Sequence, residues 1–220
     1  DRDVVGVTPL VLDHVYAELR DDGASEHKIQ KVHRLLSAAF NRAVRYGWMV
    51  ANPCLQATKP KVENEEIEPP SPAWVRRLIA DAEDVNEDLA VCLRLSAATG
   101  MRRGEVVAVR WSDFTGSRLT VRRSLVESEG QLFERRTKTG SKGHRTIAID
   151  AETMRAVHAL RNRQLAGVEE HELPDPVYVF SFDGGITPWR PDYLSLAYGR
   201  LSKREFRLHD LRHYHATQLL

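Results

Sequence analysis

The sequence has too few cysteines for a protein held together by disulfides or a cysteine-based zinc site. Its apolar runs are too short for a membrane-spanning protein. Cys54 and Cys92 are its only cysteines, which is too few for a disulfide framework or a cysteine-based zinc site. No apolar run reaches the length of a membrane span, and the opening DRDVVGVTPL is not a secretory signal. We therefore expect a cytoplasmic protein in a reducing compartment, with no membrane association.

The chain also lacks an overall charge that would point to a partner. Its net charge is +1, but that charge is unevenly distributed. Residues 61–100 carry 4 Lys or Arg and 9 Asp or Glu, whereas residues 101–150 carry 11 and 6. A basic segment can contact an anion such as nucleic acid, but an ordinary solvated surface produces the same unevenness. Charge alone therefore does not decide between the two.

The sequence does have a mainly helical pattern. Apolar residues recur at helical spacing after residues that cap helices, which are Thr8, Ser25, Ser71 and Asp150. Between residues 118 and 149 the period changes from helical to alternating, which predicts the strands RLTVRRSLV, LFERRTK and HRTIAI. We therefore predict a mainly α protein with a small antiparallel β-sheet, an α+β fold.

A stretch rich in proline and glutamate divides the chain. TKPKVENEEIEPPSP contains four prolines and four glutamates and almost no large apolar residue, which is typical of an exposed linker. We predict a helical domain at residues 1–58, lacking its start, a linker at 59–71 and a second domain at 72–220. A surface loop inside a single domain is the alternative interpretation.

The segment ATGMRRGEVVAVRWSDF, residues 98–114, has arginines directly after a glycine turn. Gly100 permits a sharp turn after an apolar helix, and Arg102 and Arg103 follow at once. A planar guanidinium at such a turn can hold two oxygens of a phosphate or carboxylate. A structural ion pair between Arg102 and Glu105 explains the same spacing equally well.

The segment TKTGSKGHR, residues 137–145, places basic residues around a Gly/Ser turn between two predicted strands. These residues are Lys138, Lys142, His144 and Arg145. A lysine at the tip of a hairpin can reach a phosphate or the minor groove of DNA. Most lysines at hairpin tips are only solvated, so that alternative stays open for this segment.

The segment HDLRHYH near the end of the chain combines histidines with an arginine. His209 and Arg212 are three residues apart and share one face of a helix. His209 and His213 have the spacing of two zinc ligands, so a zinc hydrolase that also uses His215 is an alternative. Arg212 would repel the metal ion, and the glutamate of a metalloprotease helix is missing. A His/Arg pair suits an anion better, with histidine handling a proton near neutral pH.

Taken together, the three segments resemble the tyrosine recombinases, and the phage integrases in particular. TGMRRGEVVAVRWSDF is similar to the family's first conserved box, whose arginine falls on Arg102. TKTGSKGHRTIAID is similar to the β-hairpin of the catalytic lysine, which falls on Lys138, and the His-x-x-Arg pair of the second box falls on His209 and Arg212. RAVRYGWMVANPC resembles the end of the family's core-binding domain. The resemblance implies a helical core-binding domain followed by a tyrosine-recombinase catalytic domain.

The same resemblance implies site-specific DNA recombination of the integrase type, without a metal or other cofactor. A tyrosine hydroxyl attacks a DNA phosphodiester and forms a covalent 3′-phosphotyrosyl link. Arg102 and Arg212 would hold the phosphate oxygens, with Glu105 supporting that box, and His209 would assist proton transfer. Lys138 would be the general acid. Lys142 stays an alternative, because the spacing of the hairpin departs from the commoner family pattern.

The implied partner is double-stranded DNA, bound by a homo-tetramer on synapsed sites, in a bacterial cell or encoded by a phage. Because backbone phosphates attract cations, we expect DNA contacts from arginines of the basic segment, namely Arg122, Arg123, Arg135, Arg136 and Arg145. A non-catalytic DNA-binding relative is the alternative function.

The sequence contains six tyrosines, and we expect none of them to be the nucleophile. Tyr214 follows Arg212 closely, but positions two apart lie about 200° apart around a helix, so Tyr214 should face away from the phosphate. The family places its tyrosine on a later helix, after a further conserved His or Trp. Both would lie beyond Leu220, so we expect a C-terminally truncated fragment that is inactive in cleavage.

Overall fold

The computed structural model describes residues 6–62, 68–136, 144–167 and 176–218. The chain forms two compact units, Asp1–Ile67 and Glu68–Leu220. The division lies inside the stretch predicted to be a linker, and the assignment of a separate function to each part stays a prediction. Within the described residues, no helix combines the length and the apolar character that crossing a membrane requires.

The first unit consists of two α-helices, α1 (Pro9–Asp21) and α2 (Glu26–Arg45), followed by a 3-10 helix at Pro53–Leu55. Both α-helices begin where the sequence predicts, because Thr8 and Ser25 each accept a hydrogen bond from a backbone N–H of the first turn. The core of this unit is formed by the buried side chains of Leu12, Tyr16, Ile29, Phe40, Cys54 and Ala57.

The second unit is built around one buried helix. Its helices are α3 (Pro72–Val85), α4 (Glu87–Thr99), α5 (Arg103–Val106), α6 (Ala151–Gln164), α7 (Pro191–Leu201) and α8 (Asp210–Gln218). Most side chains of α4 are buried, because the helix packs against α3, α6 and α8. This packing brings the end of α4, and the turn that follows it, next to α8.

The strands of the second unit form two antiparallel sheets. They are β1 (Phe114–Thr115), β2 (Arg118–Val121), β3 (Arg123–Ser128), β4 (Gln131–Arg136) and β5 (Arg145–Ala148). One sheet has the order β1-β2-β5, and the other pairs β3 with β4. The predicted single strand RLTVRRSLV is therefore wrong, because it breaks at Arg122 into β2 and β3. Two different partners cause the break, since Val121 pairs with Arg145 and Arg123 pairs with Arg136.

The strands on either side of residues 137–143 do not pair with each other in the described residues. β4 pairs with β3 and β5 pairs with β2, so each strand belongs to a different sheet. The predicted hairpin between LFERRTK and HRTIAI is therefore wrong at the level of strand pairing. Lys138 and Lys142 lie outside the described residues. The pairing with β2 places Arg145, the first residue of β5, opposite Val121.

Two shorter predicted elements also differ from the structure. The helix predicted over GEVVAVR is only the single turn Arg103–Val106. In the described residues, the strand predicted at VYVF contributes one isolated β-bridge, which joins Tyr178 to Arg110. Both segments are anchored in the core of the second unit, where burial of apolar side chains, rather than regular hydrogen bonding, holds them.

Candidate phosphate-binding site

Two distant segments meet at the turn that ends α4. Gly100 adopts a left-handed conformation with φ of 59°, which glycine tolerates without strain. Its carbonyl oxygen accepts a hydrogen bond of 2.6 Å from Nη1 of Arg212 in α8. A Cβ atom at this position would lie 2.7 Å from the ring of His215, so the two segments are in close contact. The structure thus brings the first and third sequence motifs together.

Glu105 is a buried carboxylate that two arginines share. Its side chain is 4% exposed. Arg102 donates to it from the backbone N–H at 2.9 Å and from Nη1 at 3.2 Å. Arg145 donates from Nη1 to Oε1 at 3.3 Å and from Nη2 to Oε2 at 2.6 Å. Glu105 therefore ties the glycine turn to the start of β5.

These contacts determine the charge state of Glu105. Burial by itself would raise the pKa of the carboxyl group. The hydrogen bonds from Arg145 and from the Arg102 backbone, together with the charges of both guanidiniums, outweigh burial and hold that pKa below its ordinary value. Glu105 is therefore ionised at neutral pH and cannot serve as a proton donor there.

The surroundings of Arg102 agree with both interpretations of the sequence, a structural ion pair with Glu105 and a guanidinium that binds phosphate. The ion pair with Glu105 is present, with the atoms 3.2 Å apart. The Arg102 side chain is nevertheless 61% exposed. A guanidinium has five N–H donors, and a single bond to Glu105 leaves most of them open to solvent. The ion pair therefore does not prevent Arg102 from binding a phosphate.

Arg212 brings a third guanidinium close to this pair. Burial, followed by the charges of Arg102 and Arg145, lowers the pKa of Arg212. An arginine nevertheless stays protonated in proteins, so the mutual repulsion signals that positive charges are crowded together. Two guanidiniums contact the single carboxylate of Glu105, and Arg212 adds a third positive charge on the neighbouring helix. The excess of positive charge would attract an anion to this surface.

His209 lies beside these arginines, just before α8. Burial lowers its pKa, and the charges of His213, Arg212 and Arg102 lower it further against the opposing effect of Asp210. Its ring contacts that of His213 edge to face, with centroids 5.3 Å apart. His209 is therefore neutral at pH 7, and a neutral imidazole can accept a proton.

The histidines of this region do not form a metal site in the described residues. His209 contacts His213, whereas His215 packs against the Gly100 turn. In that part of the chain, no three His, Cys, Asp or Glu side chains are grouped so that they could hold a metal ion. The geometry thus offers the zinc hydrolase interpretation no ligand set there.

The four tyrosines of the second unit are all described. Tyr214 is partly buried and packs against the apolar core, and the ring of Tyr193 packs edge to face on Trp189. The Tyr178 hydroxyl accepts a hydrogen bond from Arg110. The Tyr198 hydroxyl donates to a backbone carbonyl, and burial raises its pKa. In the described residues, no tyrosine hydroxyl is hydrogen-bonded to the guanidiniums of the site.

The arginines predicted to contact DNA lie in different surroundings. Arg123 is 13% exposed and pairs with the buried Asp113 at 2.5 Å, so its guanidinium neutralises a buried carboxylate. Arg122 is 49% exposed and lies 3.5 Å from the same carboxylate. Arg135 is exposed on β4, and Arg136 ends that strand. Arg145 is the one that the structure places against Glu105.

Sequence reasoning missed the partnership of Arg145 with Glu105. One signal was present, because Glu105 stands in the apolar run GEVVAVR and a buried carboxylate needs cationic or hydrogen-bonding partners. The sequence does not say which cation supplies them, since Arg145 lies 40 residues away. The contacts of Gly100 with Arg212 and His215 were missed for the same reason.

Residues 72–220 match the sequence model of the phage integrase family. The chain belongs to this family of tyrosine recombinases. The matched range includes the Gly100 turn, α5 and α8. The predicted family is therefore confirmed.

Curated proteins that resemble this phage integrase family member are longer than it. A tyrosine recombinase XerC-like protein of Caldanaerobacter subterraneus subsp. tengcongensis is 25% identical, over 97% of this chain and 60% of the relative. The ICEBs1 integrase of Bacillus subtilis is 22% identical, over 99% of this chain and 61% of the relative. The chain therefore spans less than two thirds of the length of either relative.

Solved structures of integrases share the fold. The Tn1549 transposon integrase, in complex with a circular intermediate DNA, superposes with a TM-score of 0.80 at 20% identity, over 98% of this chain and 74% of that one. A lambda integrase tetramer bound to a Holliday junction gives 0.68 at 18% identity, over 98% and 58%. At these identities the likeness confirms the predicted fold class, mainly α with small antiparallel sheets.

Proposed function

We propose that this protein performs site-specific DNA recombination of the integrase type, by cleaving and rejoining strands through a covalent 3′-phosphotyrosyl intermediate. The observation that carries the proposal is the pairing of Arg102 and Arg145 with one buried carboxylate, next to a turn whose Gly100 carbonyl holds Arg212. A neutral His209 precedes the helix of Arg212. Membership of the phage integrase family supports the same reaction.

The arginines suit the charge that develops in this reaction. When a hydroxyl attacks a phosphodiester, negative charge grows on the non-bridging oxygens. Arg102 and Arg212 would donate hydrogen bonds to those oxygens from fixed positions, Arg102 held by Glu105 and Arg212 by the Gly100 carbonyl. Loss of one such donor costs about 2.7–4 kcal/mol of transition-state stabilisation.

Two proton transfers accompany cleavage. The tyrosine oxygen forms its bond to phosphorus as its proton leaves, and the bond from phosphorus to the 5′-oxygen breaks as that oxygen gains a proton. His209, neutral at pH 7, would assist removal of the first proton. Lys138, or alternatively Lys142, would supply the second. Both lysines lie outside the described residues.

We place the nucleophilic tyrosine outside residues 1–220. The support is the environment of the tyrosines in the second unit, since Tyr214 packs against the core and Tyr198 is buried with its hydroxyl bonded to a carbonyl. In the whole protein, a further segment would bring its tyrosine to the guanidiniums. Residues 1–220 alone would then bind DNA without cleaving it.

Double-stranded DNA is the proposed partner, bound by a homo-tetramer on synapsed sites. The Tn1549 and lambda integrases with the same fold are bound to DNA in their structures. The proposed phosphate contacts of this chain are Arg122, Arg135 and Arg136. Arg123 is excluded because Asp113 holds its largely buried guanidinium.

Trapping of a covalent adduct tests the proposal. The whole protein is incubated with a labelled duplex that carries its recombination site, the complex is denatured, and protein attached to DNA is measured. The whole protein should form an adduct, whereas residues 1–220 should retard the duplex without forming one. An adduct formed by residues 1–220 and abolished by Tyr214→Phe would show that the nucleophile has been misplaced. Binding without any adduct from the whole protein would favour a non-catalytic relative.

A further inference from the structure

We propose that Arg145 is a positioning residue for cleavage, which acts through Glu105 to hold the Arg102 guanidinium in place and does not contact DNA itself. The inference rests on the proposed function. It changes the role expected for Arg145, which the sequence placed among the DNA contacts.

The first support is the geometry of the carboxylate. Arg145 reaches both oxygens of Glu105, at 3.3 Å and 2.6 Å, in a bidentate contact. Nη1 of Arg145 and Nη1 of Arg102 donate to the same oxygen, Oε1. The position of that one atom therefore sets the position of both guanidiniums, and a shift of the carboxylate away from Arg145 displaces Arg102 as well.

The second support is the burial of the carboxylate. Glu105 is 4% exposed, whereas Arg145 and Arg102 are 35% and 61% exposed. An ionised carboxylate out of water requires a close counter-charge, and removing that partner leaves an uncompensated charge. Of the two guanidiniums, that of Arg145 makes the shorter contact and reaches both carboxylate oxygens, whereas that of Arg102 reaches one. It is therefore the main partner that keeps Glu105 ionised and in place.

The third support is the dependence of Arg102 on Glu105. Arg102 precedes the single turn α5, and in the described residues the only hydrogen bond of its side chain is to Glu105. A free arginine side chain loses rotamer entropy when it becomes ordered. The bond to Glu105 removes part of that freedom before DNA arrives, and preorganisation of this kind raises the rate of the chemical step.

The fourth support is the place of Arg145 in the sheet. It begins β5, and its Cα is paired with that of Val121 in β2. The β1-β2-β5 sheet therefore fixes the base of the Arg145 side chain, while α5 carries Glu105. Arg122, the residue after Val121, differs because it is 49% exposed and lies 3.5 Å from Asp113. Arg122 therefore serves as the control, a more exposed arginine that is proposed to contact DNA directly.

A double-mutant cycle in the whole protein tests the inference. Single-turnover cleavage and duplex binding are measured for Arg145→Ala, Glu105→Gln, the double variant and Arg145→Lys, on the duplex that the wild-type protein cleaves. Arg145→Ala should slow cleavage at saturating DNA by about 10²-fold, the loss that a small misplacement in an active site causes. In the Glu105→Gln background the same substitution should have little further effect. Arg145→Lys keeps the charge without the fork and should restore only part of the rate.

Binding separates this role from a direct contact with DNA. Arg145→Ala should leave the affinity and its salt dependence nearly unchanged. Arg122→Ala should weaken binding and reduce the salt slope by about one, as loss of a phosphate contact does. If Arg145→Ala behaves like Arg122→Ala, and its effect persists in the Glu105→Gln background, the inference is overturned. Full cleavage by Arg145→Ala would overturn it as well.

A measurement on residues 1–220 tests the pair of Arg145 and Glu105 without depending on DNA cleavage. NMR titration of the Glu105 carboxyl group should show that its pKa rises in Arg145→Ala, because burial then acts with less compensation. An unchanged pKa would mean that the pair does not form, which contradicts the inference. If the pKa rises but the wild-type whole protein cleaves no DNA, the proposed function fails while the ion pair stands. Thermal unfolding of each variant identifies any that fails to fold.

Discussion

Arg212 and Gly100, 112 residues apart in the sequence, are joined by a hydrogen bond of 2.6 Å from the guanidinium to the carbonyl oxygen. The bond exists because Gly100 adopts a left-handed conformation at the end of α4, which turns its carbonyl toward α8. This one contact aligns the turn that carries Arg102 with the helix that carries Arg212. The guanidinium of Arg212 is therefore anchored on the turn that leads directly into Arg102.

Replacement of Gly100 by alanine should damage this anchor. In Gly100→Ala, the new Cβ would meet the His215 ring at 2.7 Å, in a backbone conformation with φ of 59°. A left-handed non-glycine residue costs about 1–3 kcal/mol, and the clash adds to that cost. We expect lower stability in urea unfolding of residues 1–220 and slower cleavage by the whole protein.

Gly116→Ala is the matched control for that change. Gly116 has φ of 55° but open space around its Cα, so alanine there meets the strain without the clash. A larger loss for Gly100→Ala than for Gly116→Ala measures the contact with His215. Equal losses would show that α8 shifts to make room for the new Cβ. The contact between the Gly100 turn and His215 would then matter neither for stability nor for cleavage.

Gly104 should be equally intolerant of a side chain, for a different reason. In Gly104→Ala, the Cβ would clash with the Leu125 carbonyl oxygen and would lie 2.6 Å from Ser124 Oγ. The backbone of β3 cannot move away easily, so α5 must shift and take Glu105 with it. We expect a stability loss of about 1–3 kcal/mol, typical of overpacking. Gly199→Ala on α7 has open space and should be neutral or stabilising.

Glu105 should make the stability of the protein depend on acid pH. Its pKa is lowered below the ordinary 4.5 in the folded state. A lowered carboxyl pKa contributes stability that is fully present above the unfolded value and is lost as pH falls through the folded value. Urea unfolding of residues 1–220 between pH 7 and pH 3 should show this loss. Glu105→Gln should be less stable at pH 7 and show a weaker dependence in the acid range. An unaltered dependence would contradict the ionised Glu105.

The pKa of His209 should lie below the ordinary histidine value of 6.5. Once His209 is protonated it can no longer accept a proton. The acid limb of the pH profile of cleavage should therefore lie under pH 6.5. His213→Ala removes a neighbouring charge and should move both the NMR titration of His209 and the acid limb upward. If the limb stays in place while the NMR titration moves, His209 is not the group that limits cleavage.

Arg212 should matter more for the chemical step than for affinity. Arg212→Ala in the whole protein should lower the cleavage rate by about 10²–10³-fold, because a transition-state donor is lost. DNA binding should change little, since other cations neutralise the backbone. Arg212→Lys tests the fork geometry, because it keeps the charge and should recover only part of the rate. Equal losses of binding and cleavage would contradict a transition-state role.

The sequence alone was sufficient where the deciding forces are local. The starts of α1, α2, α3 and α6 follow from capping side chains that bond a backbone N–H three residues on. The three motifs also carried the family, because they keep their order and residue types along the chain. The exclusion of Tyr214 from the phosphate-facing side of α8 followed from helical geometry, and its packing against the core agrees with that argument.

The tertiary structure alone decided the partners. Leu119, Val121 and Leu125 keep one alternating pattern through the break between β2 and β3, so nothing local marks the residue at which the chain changes sheet. Residues 101–150 contain eleven lysines and arginines, and spacing singles out only Arg102 as a partner of Glu105; Arg145 is not distinguished from the rest until the folded chain brings it to the carboxylate. Register and ion pairing between distant residues depend on how the whole unit packs, whereas caps and periodicity depend on a few neighbours.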